Sequence, residues 1–231
     1  IGAAKAELPA WSALSAYARS EKLYSAYQLM MKRRPELAQI MTREQGKPLK
    51  AALNEVKYAA DFLLWFAEEA KRVYGEIIPS ARADQRFLVR REPVGVVCAI
   101  TPWNYPVSMI TRKVAPALAA GCTIVLKPAE STPLCAMAVF RILEEAGIPA
   151  GVANLVTTSA PAPVGEVFCT DPRVRKLSFT GSTEVGRRIM ELAARNLTRI
   201  SLELGGKSPN IIFADADWEK AADAAPMSVF A

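Results

Sequence analysis

Apolar residues recur at helical spacing from Ser20 to about Gly75. The stripes are Leu23, Tyr27, Met30 and Met31, then Leu37, Ile40 and Met41, then Val56, Ala60, Leu63, Leu64 and Ala67. Side chains spaced three and four residues apart share one face of a helix. Gly46 suits a left-handed helix end, and Pro48 suits the first turn of the next helix. The pattern predicts a helical amino-terminal section that is interrupted at residues 46–48.

Beyond Pro93 the pattern changes to short apolar runs separated by helical stretches. The runs cover residues 94–100, 123–126, 153–156, 176–179, 200–204 and 210–213. The helical stretches cover residues 107–120, 134–146 and 184–195. Apolar strands that alternate with helices are typical of a parallel sheet covered on both faces. We therefore predict an α/β fold with a doubly wound parallel sheet behind the helical section.

Two segments do not fit this alternation. Residues 81–92 are polar and then strand-like, which predicts an exposed hairpin or flap. Residues 159–163, Ser-Ala-Pro-Ala-Pro, have the composition of a loop. Neither segment is expected to contribute to the parallel sheet.

The composition is that of a globular chain. Its 231 residues are 51% hydrophobic and 23% charged, which excludes intrinsic disorder and allows one large domain or two small ones. The uncharged stretch after Pro93 contains prolines and an asparagine, so no membrane span is expected. The net charge of +6 is spread along the chain, so we expect no nucleic-acid binding.

Histidine is absent from the sequence, which excludes every mechanism in this chain that needs an imidazole base. The four cysteines, Cys98, Cys122, Cys135 and Cys169, form no CxxC pair and have apolar neighbours. We predict buried reduced thiols and no metal site. The residues after Ile1 do not have the pattern of a signal peptide, so a cytoplasmic setting is expected.

Two segments at predicted strand ends suit a dinucleotide. Residues 179–186, Phe-Thr-Gly-Ser-Thr-Glu-Val-Gly, join a strand to a helix, where backbone N–H groups can bind phosphate. Their spacing is not GxGxxG, and a tight turn explains them equally well. Lys127 and Glu130 can bind ribose hydroxyls, or they form a solvated charged turn.

Two further segments offer groups for catalysis. Residues 101–106, Thr-Pro-Trp-Asn-Tyr-Pro, contain Asn104, whose amide N–H can stabilise an oxyanion. An Asx turn is the alternative interpretation. Glu203 ends a strand before Gly205 and Gly206, and a buried carboxylate there can act as a general base. A structural acid at a glycine turn fits equally.

Taken together and in this order, the four segments resemble the NAD(P)-dependent aldehyde dehydrogenase superfamily. The resemblance runs from Glu-Gln-Gly-Lys-Pro at residues 44–48 to the helix that contains Ala221 and Ala222. Residues 65–70, 110–113 and 117–122 are most similar to succinate-semialdehyde dehydrogenases. The resemblance implies a Rossmann-like cofactor domain and the oxidation of a small aldehyde, succinate semialdehyde, to a carboxylic acid.

The resemblance also implies roles for individual residues. Asn104 would be the oxyanion donor, and Glu203 would be the base that activates water to hydrolyse a thioester. Arg112 would hold the distal carboxylate of the substrate in a bidentate grip. The residues implied in cofactor binding are Thr101, Trp103, Lys127, Glu130, Gly181, Ser182, Gly186 and Leu204. Because Glu130 would repel a 2′-phosphate, we expect NAD to be preferred to NADP, with Lys127 partly offsetting that repulsion.

The resemblance divides the chain into two parts. Residues 1–205 would form the NAD(P)-binding domain, with residues 79–95 as a subunit-bridging hairpin, and residues 206–231 would begin a catalytic domain. The family's nucleophilic cysteine follows a segment that begins near Phe230, and none of the four cysteines occupies that place. We therefore expect an internal segment of a longer protein that is inactive alone and is part of a homo-oligomer, a dimer or tetramer, when full length.

Three alternatives stay open. The chain could be a dinucleotide-binding module that does not catalyse oxidation, or part of an aldehyde dehydrogenase for an uncharged aldehyde. A CoA-acylating aldehyde dehydrogenase is the third, although such enzymes generally lack the glutamate base that Glu203 would supply.

Overall fold

The computed structural model describes residues 1–226, which form nine α-helices, two short 3-10 helices (Ala70–Arg72 and Ala194–Asn196) and seven strands. The helices are α1 (Gly2–Ala13), α2 (Ala16–Lys32), α3 (Arg34–Gln45), α4 (Leu49–Glu69), α5 (Ser108–Ala119), α6 (Pro133–Glu145), α7 (Pro161–Thr170), α8 (Thr183–Ala193) and α9 (Trp218–Ala224). The strands are β1 (Glu76–Pro79), β2 (Arg86–Val89), β3 (Val96–Ile100), β4 (Thr123–Lys127), β5 (Ala153–Leu155), β6 (Val174–Gly181) and β7 (Arg199–Leu204).

The amino-terminal section is helical, as the apolar spacing predicts. Ser15 caps α2 by accepting a hydrogen bond from the backbone N–H of Ala18. Gly46 ends α3 with a φ of 82°, a left-handed conformation that glycine adopts without a steric cost. Pro48 precedes the first turn of α4. The predicted interruption is confirmed, whereas α1 was not predicted because its apolar residues form no single stripe and Pro9 lies inside it.

Five strands form one parallel sheet in the order β5-β4-β3-β6-β7. From β3 the chain passes through α5 to β4 and through α6 to β5, so both strands lie on one side of β3. It then crosses back through α7 to β6, on the other side of β3. The strand order therefore reverses between β3 and β6. Ligands bind in open α/β sheets at such a switch point, at the carboxyl ends of the strands.

Each face of the sheet has its own core. Val97 and Ala99 of β3 pack with α2 to α6, whereas Cys98 and Ile100 pack with α7 and α8 on the opposite face. Alternation along the central strands thus buries both sets of side chains. The predicted doubly wound α/β fold is confirmed.

An antiparallel hairpin, β1 with β2, projects from this body. Glu76 pairs with Val89 and Pro79 with Arg86, and all eight residues of the two strands are exposed. The predicted exposed hairpin is confirmed, although its first strand begins five residues before the predicted segment.

Two sequence predictions are wrong. Residues 159–163 are not all loop, because α7 begins at Pro161; both Pro161 and Pro163 lie in its first turn, where no backbone donor is needed. Residues 210–213 form no strand, and the side chain of Phe213 is 73% exposed. The chain leaves the sheet after β7, so this apolar run has no partner strand among residues 1–226. No helix in that range is long and apolar enough to cross a membrane.

Candidate functional site

Four of the sequence-predicted segments lie at the carboxyl ends of neighbouring strands. The Asn104 loop follows β3, Lys127 ends β4, Ser182 follows β6 and Glu203 is near the end of β7. The backbone N–H of Thr101, which is buried, donates to the carbonyl of Lys127 at 3.1 Å. The sheet therefore places all four segments along one edge, across the switch point.

Asn104 is exposed in the loop between β3 and α5. Its Oδ1 accepts a hydrogen bond from the backbone N–H of Tyr105 at 3.1 Å. Its backbone carbonyl accepts from Lys47 Nζ at 2.9 Å and Gln45 Nε2 at 3.2 Å. The side chain thus bonds within its own loop, but not in the predicted alternative of an Asx turn, because that turn needs an N–H two residues on and Pro106 has none. Its amide NH₂ keeps both hydrogens free of partners among residues 1–226.

Lys127 and Glu130 form an ion pair at the end of β4. The ammonium of Lys127 is buried and donates to Glu130 Oε1 and to the Pro128 carbonyl, the latter at 2.7 Å. Burial raises the pKa of Glu130, but the hydrogen bond and the charge of Lys127 lower it by more, so the pKa of Glu130 lies below its ordinary value. Glu130 is therefore a carboxylate that faces solvent from a fixed position.

Ser182 is the N-cap of α8, where its Oγ accepts from the backbone N–H of Val185 at 3.3 Å. The next two backbone N–H groups, those of Thr183 and Glu184, have no acceptor among residues 1–226. Trp103, across the switch point, is 58% exposed. This helix start offers free donors to an anion.

Two glycines of this turn are explained by contacts within the protein. A β-carbon at Gly181 would lie 2.5 Å from the ring of Phe179, and one at Gly186 would lie 2.5 Å from a methyl of Leu204. A larger residue at position 186 would therefore have to displace the exposed Leu204 side chain, whether or not a ligand binds.

Glu203 is opposite Thr180 in the pairing of β6 with β7. Its side chain is exposed, so residues 1–226 do not supply the burial that a general base requires. No hydrogen bond in this part of the chain joins Glu203 to Asn104.

Arg112 lies on α5, half-buried, at a cavity of about 730 Å³. Its Nη2 donates to the hydroxyl of Tyr58 at 2.8 Å, and its guanidinium carbon lies 5.1 Å from the centre of the Phe62 ring. The cavity also has Lys47, Tyr105 and Met109 in its lining. Arg112 therefore faces a space beside the Asn104 loop and lies against two aromatic rings of α4.

Lys113 is a polar group that the sequence analysis did not single out. It is 7% exposed, and its Nζ donates to Ser178 Oγ of β6 at 2.9 Å. Burial lowers its pKa to about 8, while Glu203 opposes that shift and Arg112 and Lys176 add to it. The sequence signal for the burial of Lys113 is its position three residues after Ile110 and four before Ala117, both of which are buried on the same helix face.

The four cysteines are buried and unpaired, as predicted. Burial raises the pKa of every thiol, to about 12 for Cys98 and about 11 for Cys169. A nucleophilic cysteine requires a thiolate, so none of the four is activated. No group of three or more potential metal ligands lies among residues 1–226.

The chain is similar in sequence to known semialdehyde dehydrogenases. The chain is 55% identical over 230 residues to an NADP(+) succinate-semialdehyde dehydrogenase of Escherichia coli, covering 100% of this chain and 48% of that protein. It is 54% identical over 230 residues to a glutarate-semialdehyde dehydrogenase of Pseudomonas putida, with the same coverage. The chain thus spans about half the length of these curated relatives.

The fold matches a solved structure over the same region. A crystal structure described as an E. coli NADP-dependent enzyme superposes with a TM-score of 0.95 at 55% identity, covering 99% of this chain and 47% of that one. The sequence model of the aldehyde dehydrogenase family matches residues 1–231. The chain therefore belongs to the aldehyde dehydrogenase family.

Proposed function

We propose that this chain is the cofactor-binding part of an enzyme that oxidises succinate semialdehyde to succinate with NAD(P). The observation that carries the proposal is the meeting of the Asn104, Lys127, Ser182 and Glu203 segments at the switch point of one parallel sheet. The strand-end edge of a doubly wound sheet is where a dinucleotide binds. The similarity to semialdehyde dehydrogenases supports the reaction.

The residues at this edge fit a dinucleotide. The free N–H groups of Thr183 and Glu184 suit a pyrophosphate at the start of α8, with Ser182 and Trp103 beside it. Lys127 and Glu130 suit the adenosine ribose, since a charged carboxylate accepts from its hydroxyls. We propose Thr101, Gly181, Gly186 and Leu204 as the backbone and apolar surroundings of the same ligand. The chemistry that bound NAD(P) supplies is acceptance of a hydride.

Glu130 further leads us to propose NAD as the preferred form. A 2′-phosphate at the ribose would face the Glu130 carboxylate and be repelled by it. The E. coli relative is named for NADP(+), so the comparison of the two cofactors is a direct test of this argument.

Three side chains of this chain have separate roles in the proposed reaction. The free amide hydrogens of Asn104 stabilise the oxyanion that forms on the aldehyde oxygen. The guanidinium of Arg112 binds the far carboxylate of the substrate in the neighbouring cavity. Glu203 takes a proton from the water that releases the acid. We place the nucleophilic thiolate outside residues 1–226, because the described thiols are buried and protonated.

We also propose a domain division and a surface for contact between subunits. Residues 1–205 form the cofactor-binding domain and residues 206–231 begin the catalytic domain; residues 227–231, including Phe230, lie outside the described residues. The exposed β1–β2 hairpin spans residues 76–89, overlaps the sequence-predicted residues 79–95 and suits contact with a second subunit.

The test is steady-state formation of NADH or NADPH by the full-length protein with three aldehydes. Succinate semialdehyde should give the highest kcat/KM, glutarate semialdehyde a lower one, and an uncharged aldehyde of similar length the lowest. Equal efficiency with the charged and uncharged aldehydes would refute the substrate assignment. Binding of NAD without turnover of any aldehyde would favour a binding module instead.

A further inference from the structure

Glu55 is a buried carboxylate in the first half of α4. Its side chain is 1% exposed and forms an ion pair with Lys47, whose side chain is 9% exposed. Glu55 Oε1 also accepts from the backbone N–H groups of Val107 and Ser108, at 3.0 and 3.2 Å. These two residues begin α5, which has no side-chain cap of its own. Glu55 thus caps a helix 52 residues away in sequence.

Lys47 contacts the start of the loop that leads from Asn104 to α5. Its Nζ donates to the backbone carbonyl of Asn104 at 2.9 Å and lies 3.9 Å from the centre of the Tyr105 ring. One ion pair from α4 and the turn before it therefore holds the loop at Asn104 and again at Val107 and Ser108.

A buried ion pair is a costly way to stabilise a fold. Removing two charges from water offsets most of their attraction, and apolar residues of similar size often stabilise a core as well. The pair does fix geometry, because each charge has several directed hydrogen bonds. Asn104 is exposed, and among residues 1–226 its side chain bonds only to Tyr105, so its position depends on how its backbone is held.

We propose that Glu55 and Lys47 are positioning residues that hold Asn104 where its amide can reach the reacting oxygen. This inference rests on the proposed function, because it assumes that Asn104 donates to an oxyanion. It adds two residues of the helical section, which also line the cavity beside Arg112, as groups that act through the Asn104 loop.

A double-mutant cycle in the full-length enzyme tests the proposal. Glu55→Gln should lower kcat with succinate semialdehyde by about tenfold to a hundredfold, the range expected when a reacting group is displaced by about 1 Å. The KM for NAD(P) should not change. In the Asn104→Ala background the same substitution should cost less than about twofold, because the group that it positions is already absent. Equal losses in both backgrounds would overturn the proposal.

Glu44 provides a matched control. It is also a carboxylate that caps a distant helix, accepting from the backbone N–H groups of Leu134 and Cys135 at 2.6 and 2.9 Å, but within residues 1–226 no hydrogen bond or ion pair joins its side chain to the Asn104 loop. Glu44→Gln should lower the thermal stability and leave kcat at the wild-type value. A loss of kcat as large as that of Glu55→Gln would contradict the proposal.

Hydrogen exchange separates this inference from the proposed function. Glu55→Gln should speed exchange of the amides in residues 104–109, and Glu44→Gln should speed exchange in residues 133–137 only. If Asn104→Ala alone leaves kcat unchanged, the oxyanion role fails even though Glu55 holds the loop. If residues 104–109 exchange at the wild-type rate in Glu55→Gln, the positioning role fails. Should Glu55→Gln not fold, Lys47→Met tests the same contact with the Asn104 carbonyl.

Discussion

Lys113 and Ser178 join α5 to β6 by a hydrogen bond of 2.9 Å, across the switch point of the sheet. The ammonium is buried beside the edge where the strand-end segments meet. Burial lowers its pKa from the ordinary 10.5 to about 8, opposed by Glu203 and supported by Arg112 and Lys176. The protein therefore holds an amine that changes its charge just above neutral pH.

Because the pKa of Lys113 is lowered, the change in the free energy of unfolding caused by Lys113→Met should depend on pH. Below pH 8 the buried charge lowers the free energy of unfolding by its full amount. This destabilisation decreases between pH 8 and pH 10.5 and is absent above pH 10.5. Lys113→Met should therefore gain about 3 kcal/mol more, relative to wild type, at pH 7 than at pH 10.5. Urea unfolding across this range measures the difference. Lys57→Met, at an exposed lysine of α4, is the control, and a pH-independent gain for Lys113→Met would contradict the argument.

The sequence predicts the fold better than the contacts within the site. Apolar runs in the order of β3 to β7 suffice for the sheet, and Gly46 marks a real helix end. The run at residues 210–213 misleads, because its apolar character indicates burial but not which partner buries it. Glu55 could not have been assigned, since its role depends on α4 packing against the start of α5 and no local pattern encodes that contact.

Arg112→Ala should lower kcat/KM for succinate semialdehyde and spare an uncharged aldehyde of similar length. The loss of a charge-assisted bidentate contact is expected to cost about 1.5 to 3 kcal/mol with the charged substrate. Steady-state kinetics with both aldehydes measures it. An equal loss on the two would show that Arg112 supports the fold, through its contacts with Tyr58 and Phe62, and does not select the carboxylate.

Tyr58→Phe should weaken the same selectivity without removing the cation. The substitution keeps the ring beside Arg112 but deletes the hydroxyl that accepts from its Nη2. The freed guanidinium loses one fixed partner, so the KM for succinate semialdehyde should rise about fivefold, as for the loss of one hydrogen bond of about 1 kcal/mol. Tyr24→Phe, at an exposed tyrosine of α2, is the control. A rise that is equal for the uncharged aldehyde would argue against a role through Arg112.

Glu130→Gln should shift cofactor preference toward NADP. The amide cannot repel a 2′-phosphate, and Lys127 loses the carboxylate that now holds it, so its charge becomes available. The ratio of kcat/KM for NADP to that for NAD should rise about fivefold or more, as for about 1 kcal/mol of repulsion near a surface. Glu144→Gln, at an exposed residue of α6, should leave the ratio unchanged. An unaltered ratio in Glu130→Gln would mean that the carboxylate does not face the ribose.

Glu203→Gln in the full-length enzyme should separate the two halves of the reaction. The amide preserves the shape of the side chain but cannot take a proton from water, and a general base contributes about a hundredfold or more. Hydride transfer should remain fast while release of the acid slows, so mixing the enzyme and NAD with substrate should give a burst of NADH followed by slow turnover. Stopped-flow measurements resolve the two phases, with Glu191→Gln at the far end of α8 as the control. If both phases slow equally, Glu203 acts before hydride transfer and the assignment to water activation is wrong.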